Sequence, residues 1–396
     1  MSTFINATQV VSAAIGLLLR ESVLARLVWR DGLGNFEGAA NDTVTIRLPA
    51  FTPARVRGIR SGTTRIRDTI HERAVPVVLD RGIYKDVRVT DALLTLDVPQ
   101  FGQRVLAPVM AGIVRTLEDE VVTRITGATH VNVITFTLAS GNAWNDLIVP
   151  AREFLNRANV PMEGRVLAVG SAIETALLRN EIFIRADASG SGEALSEATL
   201  GRKAGFEIVS VPSLPPAQAY AFHPTAFPLV QRAPAVPAGM GWGEVRDQEG
   251  FALRIVRIMD SATIDDILAL DAWLGSTVVA DPGYYTAAGQ FVPAEGPAEA
   301  AVTLASSLAT NDIINTATAH GYVAGDRIVF PTLTGGAGLV INREYFVSAT
   351  SLAATTFRPS ATSGGAPIDF TTDITAGTVR RHGTDLLVRS VRINGV

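Results

Sequence analysis

The sequence predicts an α+β protein with an all-β module toward its C-terminal end. Three observations carry that reading. The stretch from Asp97 to Gly127 places apolar residues at every fourth position, the spacing of one long amphipathic helix. From residue 42 onward, short alternating or wholly apolar runs are interleaved with a few helical ones. They show no repeated βαβ order, so the sheet is expected to be mixed. Past a Gly-, Pro-, Ala- and Tyr-rich break at Asp281 to Glu299, charge thins and Thr, Ser, Gly and Val dominate.

Taken in order, residues 8–29 are apolar and helix-prone. Leu17, Leu18, Leu19, Val23, Leu24, Leu27 and Val28 form one stripe, with Arg20, Glu21, Arg26 and Arg30 opposite. Such an arm packs either on its own core or on a partner. Residues 42–49, DTVTIRLP, alternate as a half-buried strand does. Residues 51–73 then carry Arg55, Arg57, Arg60, Arg65, Arg67 and Arg73 against Asp68 and Glu72. With Ser61-Gly62 near the centre, this reads as an extended two-stranded arm, too polar to form a core of its own. Val75–Leu79 and Lys85–Thr90 are expected strands leading to the long helix.

That helix presents Phe101, Val105, Val109, Ile113, Leu117, Val121 and Ile125, widened by Leu106, Met110 and Val114. Asp97 is placed to cap it and Gly127 to end it. Glu120 and Arg124 are spaced as a surface pair, and Pro108 should bend the rod. At about 1.5 Å per residue it spans roughly 40 Å. Further on, strands are expected at 130–141, 165–169, 206–211, 219–222 and 251–259. Helices are expected at Trp144–Asn159 and from Ser171, with a helical turn near Thr225. The acidic pair Asp265-Asp266 reads as the start of a helix, where it would complement the dipole. In the C-terminal module, AVTLAS, DIINTAT, DRIVFP, REYFVSAT, TTFRPS and PIDFTT suit the strands of a small sandwich or barrel. LLVRSVRI at 386–393 either closes that module or returns to the main body.

Composition excludes several classes. The 396 residues, 47% of them hydrophobic, suffice for two or three cores, and no apolar run is long enough to cross a bilayer. Val10–Leu19 lacks the flanks of a signal peptide. With no cysteine there is no disulfide, thiolate chemistry or cysteine-ligated metal. The net charge of -4 provides no global field for nucleic acid. Lys85 and Lys203 are the only lysines, so positive charge is almost wholly guanidinium, suited to bidentate and interfacial contacts. A GC-rich genome would produce the same bias. His71, His130, His223, His320 and His382 show no ligand spacing, and no HExxH, GxSxG or Walker A run occurs. GGAG at Gly335–Gly338 reads as a turn. Glu118, Asp119 and Glu120 read as the solvated or subunit-facing side of the helix. Neither an enzyme nor a cofactor is expected.

An apolar arm, a strand leading into an Arg-rich hairpin and FGQRVLAPVMAGIVRTLEDEVVTRI together resemble the N-arm, E-loop and spine helix of tailed-phage major capsid proteins with the HK97 fold. The P22-coat-like branch is the nearest in kind. RVLAVGSAIETALLRN, GFEIVSVPSLPPAQAYAFHPTAFPLV and GWGEVRDQEGFALRIVRIMDSATIDDILALDAWLG extend the likeness over about residues 1–280. The resemblance implies an N-terminal arm (1–40), an extended loop with its base (41–90) and a peripheral domain (91–165) with a spine helix at 98–126. An axial domain (166–280) and the β module (281–396) would follow.

The resemblance also implies a coat subunit that assembles through hexamers and pentamers into an icosahedral shell around double-stranded DNA. Such a virion protein would assemble in the host cytoplasm beside a separate scaffolding protein, a portal and capsid accessory proteins, with no membrane involved. Candidate subunit contacts are Leu17, Leu24, Trp29, Arg55, Arg57, Arg60, Arg65, Arg67, Glu118, Asp119 and Arg124. Any contact of the arginines with DNA would be weak and phosphate-directed. Some members of the family cross-link a loop lysine to a neighbour's asparagine. The hairpin here has no lysine, so an uncross-linked shell is expected. Two other readings are a nanocompartment shell of the same fold and a glycan-binding adhesin built on the β module.

Overall fold

The computed structural model describes residues 7–30, 43–48, 73–89, 105–140, 142–180, 201–248, 250–260, 265–286, 288–293, 299–381 and 384–396. An apolar arm comes first, with helix α1 (Ala7–Glu21) and the single turn α2 (Leu24–Leu27). Strands β1 (Thr43–Leu48) and β2 (Arg73–Val78) form an antiparallel ladder from Thr43↔Val78 to Leu48↔Arg73. Strand β3 (Arg81–Val89) follows, then helix α3 (Ala107–Gly127) and strand β4 (His130–Phe136).

A π-helical turn at Trp144–Ile148 runs into α4 (Val149–Arg157), and β5 (Arg165–Val169) runs into α5 (Ser171–Leu178). Next come β6 (Arg202–Lys203), β7 (Phe206–Ser210), β8 (Gln218–Phe222) and β9 (Leu229–Arg232). Strands β10 (Gly243–Gln248), β11 (Phe251–Asp260), β12 (Asp265–Ser276), β13 (Asp281–Tyr285) and β14 (Phe291–Pro293) complete this part of the body.

The module holds β15 (Val302–Thr303), β16 (Ile314–Asn315), β17 (Arg327–Thr334), β18 (Glu344–Val347), β19 (Thr356–Phe357), β20 (Pro359–Ser360) and β21 (Ala376–Arg381). The last strand, β22 (Thr384–Gly395), lies in the main body.

Two sheets organise that body. One runs β10-β11-β12-β3, with β9 also on β12. Its inner face, including Leu253, Ile255, Leu268 and Leu270, packs with α1 and α3 into the largest core. The other runs β14-β13-β22-β8-β5-β7-β6 and is mixed, because β4 pairs parallel with β22 and β5 pairs parallel with β7. It packs with α4 and α5 into a second core. The α+β class with a mixed sheet is therefore the one observed.

In α3, Val109, Met110, Ile113, Val114, Leu117, Val121, Val122 and Ile125 are buried, which is the face the four-residue spacing predicts. Each such burial stabilises by about 1.5–3 kcal/mol relative to exposure. That dwarfs the few tenths of a kcal/mol expected of a surface ion pair. The pair itself is not made: Glu120 meets Arg81 of β3, and Arg124 Nε donates to Ser276 Oγ at 3.0 Å. Pro108 sits in the first turn of α3, where its missing N–H has no intrahelical partner to lose. Asp97 and Phe101 lie outside the described residues.

Three other expectations are corrected. Asp265-Asp266 opens strand β12, not a helix; β11 pairs along one edge of it and β3 along the other. PIDFTT forms no strand. Residues 376–381 supply β21 instead, paired to β17 and β15. The helix expected over Trp144–Asn159 begins as a π turn, with the Asn142 carbonyl accepting from both Asn145 N–H and Asp146 N–H at 3.1 Å.

The module is an insertion between β14 and β22. It encloses its own core of Leu304, Ile314, Phe330, Tyr345, Phe357 and Phe370, among others. Pro293 and Thr384 both face Gly283, on opposite sides of β13. The two ends of the insertion are therefore two strand spacings apart, roughly 10 Å. Deleting residues 299–381 is expected to leave the main body folded, with its melting temperature within about 3 °C of the full chain. Loss of soluble protein would show instead that the body depends on the module.

Candidate assembly surfaces

The side chains divide into those the chain uses on itself and those it leaves outward. The arm is used internally. Val10, Val11, Ala14, Ile15, Leu18, Leu24, Ala25 and Val28 are buried in the core shared with α3 and the first sheet. Leu17 is half-buried against the same core, and Arg246 of β10 donates to Ser12 of α1. Of the two placements open to this stripe, the chain's own core is the one observed over residues 7–30. The first sheet, too short of apolar cover on its inner face, is completed by the chain's own arm.

Glu118 fastens the arm. Its Oε1 accepts from Val23 N–H (2.8 Å) and Ala25 N–H (3.1 Å), and its Oε2 accepts from Leu24 N–H (3.0 Å). These are N–H groups that open a helical turn and have no partner within it. A carboxylate from α3 caps α2 from nearly a hundred residues away. Burial pushes the Glu118 carboxyl above the usual 4.5, and the three N–H groups oppose that shift. Glu118 is thus a joint inside the subunit and not an outward contact. Asp119, beside it, is exposed, and Arg124 is half-buried.

Trp29, at the end of the arm, is also turned inward. It packs against Val44, Ile46, Val77, Leu79 and Val230 on one side and against Val75 and Val279 on the other. Arg55, Arg57, Arg60, Arg65 and Arg67, the hairpin arginines, lie outside the described residues.

Arginine was expected at interfaces, yet several of the described arginines staple the subunit. Arg254 forks onto Asp271 across β11 and β12, its Nε donating at 2.8 Å. Arg389 donates Nε and Nη2 to Asp281 at 2.6 and 2.7 Å and Nη1 to Thr225 Oγ1 at 2.9 Å. Bidentate geometry serves cross-strand fastening as well as it serves interfaces. The described histidines have structural surroundings too. His130 Nε2 lies 2.8 Å from the Ile125 carbonyl, with the ring buried beside Tyr220, and burial lowers its pKa. His320 stacks on Tyr322. Among the described residues, no group of three or more acidic or histidine side chains could hold a metal, and no helix is long and apolar enough to cross a membrane.

What faces outward was only partly anticipated. On the side of the first sheet away from its core, Arg254, Asp271 and Tyr84 lie in register across β11, β12 and β3. Ile258, Ile267 and Arg88 form a second row. Tyr84 is 73% exposed and Met259, at the end of β11, 65%. Tyr84 was missed because the strand was expected to begin at Lys85, although the alternation of RGIYKDVRV puts Tyr84, Asp86 and Arg88 on one face.

Residues 82–269 match the family model described as "Phage capsid protein". That span holds β3, α3 and every element through the first part of β12. The central region thus resembles a phage capsid protein. No curated protein sequence matches the chain. Among solved structures, the chain resembles one from Mycobacterium phage Che8, at 22% identity, covering 65% of this chain and 88% of that one, TM-score 0.46. The capsid of Cyanophage P-SCSP1u is 14% identical, with 63% and 89% covered and TM-score 0.43. A structure from Mycobacterium phage Adephagia is 13% identical, with 69% and 87% covered and TM-score 0.43.

Proposed function

We propose that this chain is a phage capsid protein, the repeating coat subunit of an icosahedral shell around double-stranded DNA. The capsid-family match across residues 82–269 carries the reading. The paired strands β1 and β2 support it. They hold Leu48 against Arg73, so both ends of the intervening Arg-rich segment leave the body at one point, as an arm reaching a neighbour requires. Copies of the subunit would form hexamers and pentamers, with Asp119, Arg124 and the hairpin arginines among the contacts. A separate scaffolding protein, a portal and accessory proteins would complete assembly in the host cytoplasm. Contact with packaged DNA would be weak, phosphate-directed and salt-sensitive. The role is structural and not catalytic, and its place is the virion.

Negative-stain microscopy of the purified full-length protein, alone and with a co-expressed scaffold, tests the proposal. Closed particles of uniform diameter are expected. A monodisperse monomer persisting at high concentration under both conditions would refute it.

A further inference from the structure

The foot of the β1–β2 ladder is seated on two unusual contacts. The first is Trp29, whose ring packs against both of the small clusters beneath the ladder. Its backbone is held from both sides. Trp29 N–H donates to the carbonyls of Pro224 (3.1 Å) and Phe227 (3.3 Å), and its carbonyl accepts from Leu229 N–H at 2.8 Å. A residue whose backbone is held in this way gives the ladder a fixed surface to pack on.

The second contact is Gly275, near the end of β12. A Cβ there would lie 2.4 Å from the Val78 carbonyl oxygen and 2.9 Å from its carbon, at the last residue of β2. Those are backbone atoms with no side-chain freedom to yield. Gly275 has no left-handed conformation that would call for glycine, so close approach of the backbone is what excludes a side chain. It also pairs with Val230, which belongs to the cluster that Trp29 touches. Wedge and crossing therefore act on the same end of the same ladder.

We infer that Trp29 and Gly275 are positioning residues that set the angle at which the β1–β2 ladder leaves the subunit. The inference rests on the shell reading, since direction matters only if another copy receives what the ladder carries. Six paired residues make a lever about 20 Å long. A tilt of about 10° at its foot would move its far end by about 3.5 Å over that length, enough to displace a row of hydrogen bonds, which form within a few tenths of an ångström. Stability senses such a tilt weakly, whereas the geometry of assembly senses it once per subunit.

The test compares Gly275→Ala and Trp29→Leu in the full chain with Gly283→Ala. The last introduces a Cβ 2.4 Å from the Phe291 ring and 2.5 Å from the Val292 carbonyl, in the other sheet. Particles are counted and sized by electron microscopy, and folded subunit is measured by thermal melting. Gly275→Ala and Trp29→Leu are expected to yield folded subunit but roughly tenfold fewer closed particles of the wild-type diameter, with open or irregular assemblies in their place. Gly283→Ala is expected to yield less folded protein but particles of unchanged diameter. The inference is overturned if Gly275→Ala and Trp29→Leu behave as Gly283→Ala does, or if neither accumulates as folded subunit, since the seat would then serve stability alone. A wild-type protein that forms no particles defeats the shell reading. Wild-type particles together with unchanged variant particles defeat only the seat.

Discussion

Gly170→Ala is expected to lower the accumulation of folded subunit sharply. Gly170 joins β5, buried at every position, to α5, and no side chain caps that helix. Backbone carbonyls of the Pro-rich turn do so instead: Pro216 O accepts from Ala172 N–H at 3.0 Å, and Gln218 O accepts from Gly170 N–H at 2.9 Å. The approach is so close that a Cβ would lie 2.3 Å from Pro215 O, 2.8 Å from Pro216 O and 2.9 Å from Gln218 O. All three obstacles are main chain, so relief requires moving the turn away from the orphan N–H groups it satisfies. A cost of roughly 3–5 kcal/mol follows, against a net stability on the order of 5–15 kcal/mol for a folded protein. Gly112→Ala is the control. Gly112 lies on the exposed side of α3 with nothing within 4 Å of the added carbon, and it should stabilise by about 0.5–1 kcal/mol through helix propensity. Soluble yield and thermal melting of the two variants check the pair; similar melting would refute the crowding argument.

Glu118→Ala should release the arm. It strips three N–H groups of their acceptor at a partly buried site, where hydrogen bonds to a charged group each contribute about 1.5–3 kcal/mol. Allowing for the burial cost that the charge no longer bears, a net loss of about 2–4 kcal/mol is expected. Proteolysis should then cut near Val23 much faster, because the carboxylate holds the one turn that α2 makes. Glu118→Gln keeps one oxygen, leaves one N–H facing an amide, and should lose less.

The two variants also separate by pH. The folded carboxyl titrates above 4.5 because burial outweighs its hydrogen bonds, so the docked arm binds a proton more tightly than the free one. That contribution to stability is complete below 4.5 and is lost as pH rises through the folded value. Glu118→Gln, which does not titrate, should lack this decline. Melting temperatures measured from pH 4 to 7 check it, and a Glu118→Gln protein that follows the wild-type slope would show that another group is responsible.

Local periodicity made α3 legible. Its buried face is spaced as a helix requires, and no other element has to be known to see that. β12 shows the limit of the same method. DDILALDAWL is too short and too uniformly apolar for its period to choose between helix and strand, and its leading carboxylates mimic a helix start. β11 and β3, hydrogen-bonded along its two edges, decide the matter. The arginine bias was visible too, but not its use. Arg389 finds Asp281, 108 residues away, because the chain returns from an inserted module into the main sheet, and no spacing in the sequence announces that return.

The long helix, the run of short strands, the compositional break and the family likeness all belong to single stretches of chain, so composition and period sufficed to reveal them. Where the arm lies, which N–H groups Glu118 reaches and which backbone crowds Gly170 and Gly275 belong to pairs of distant stretches. Those answers come from burying one segment against another, and they exist only once the chain has folded.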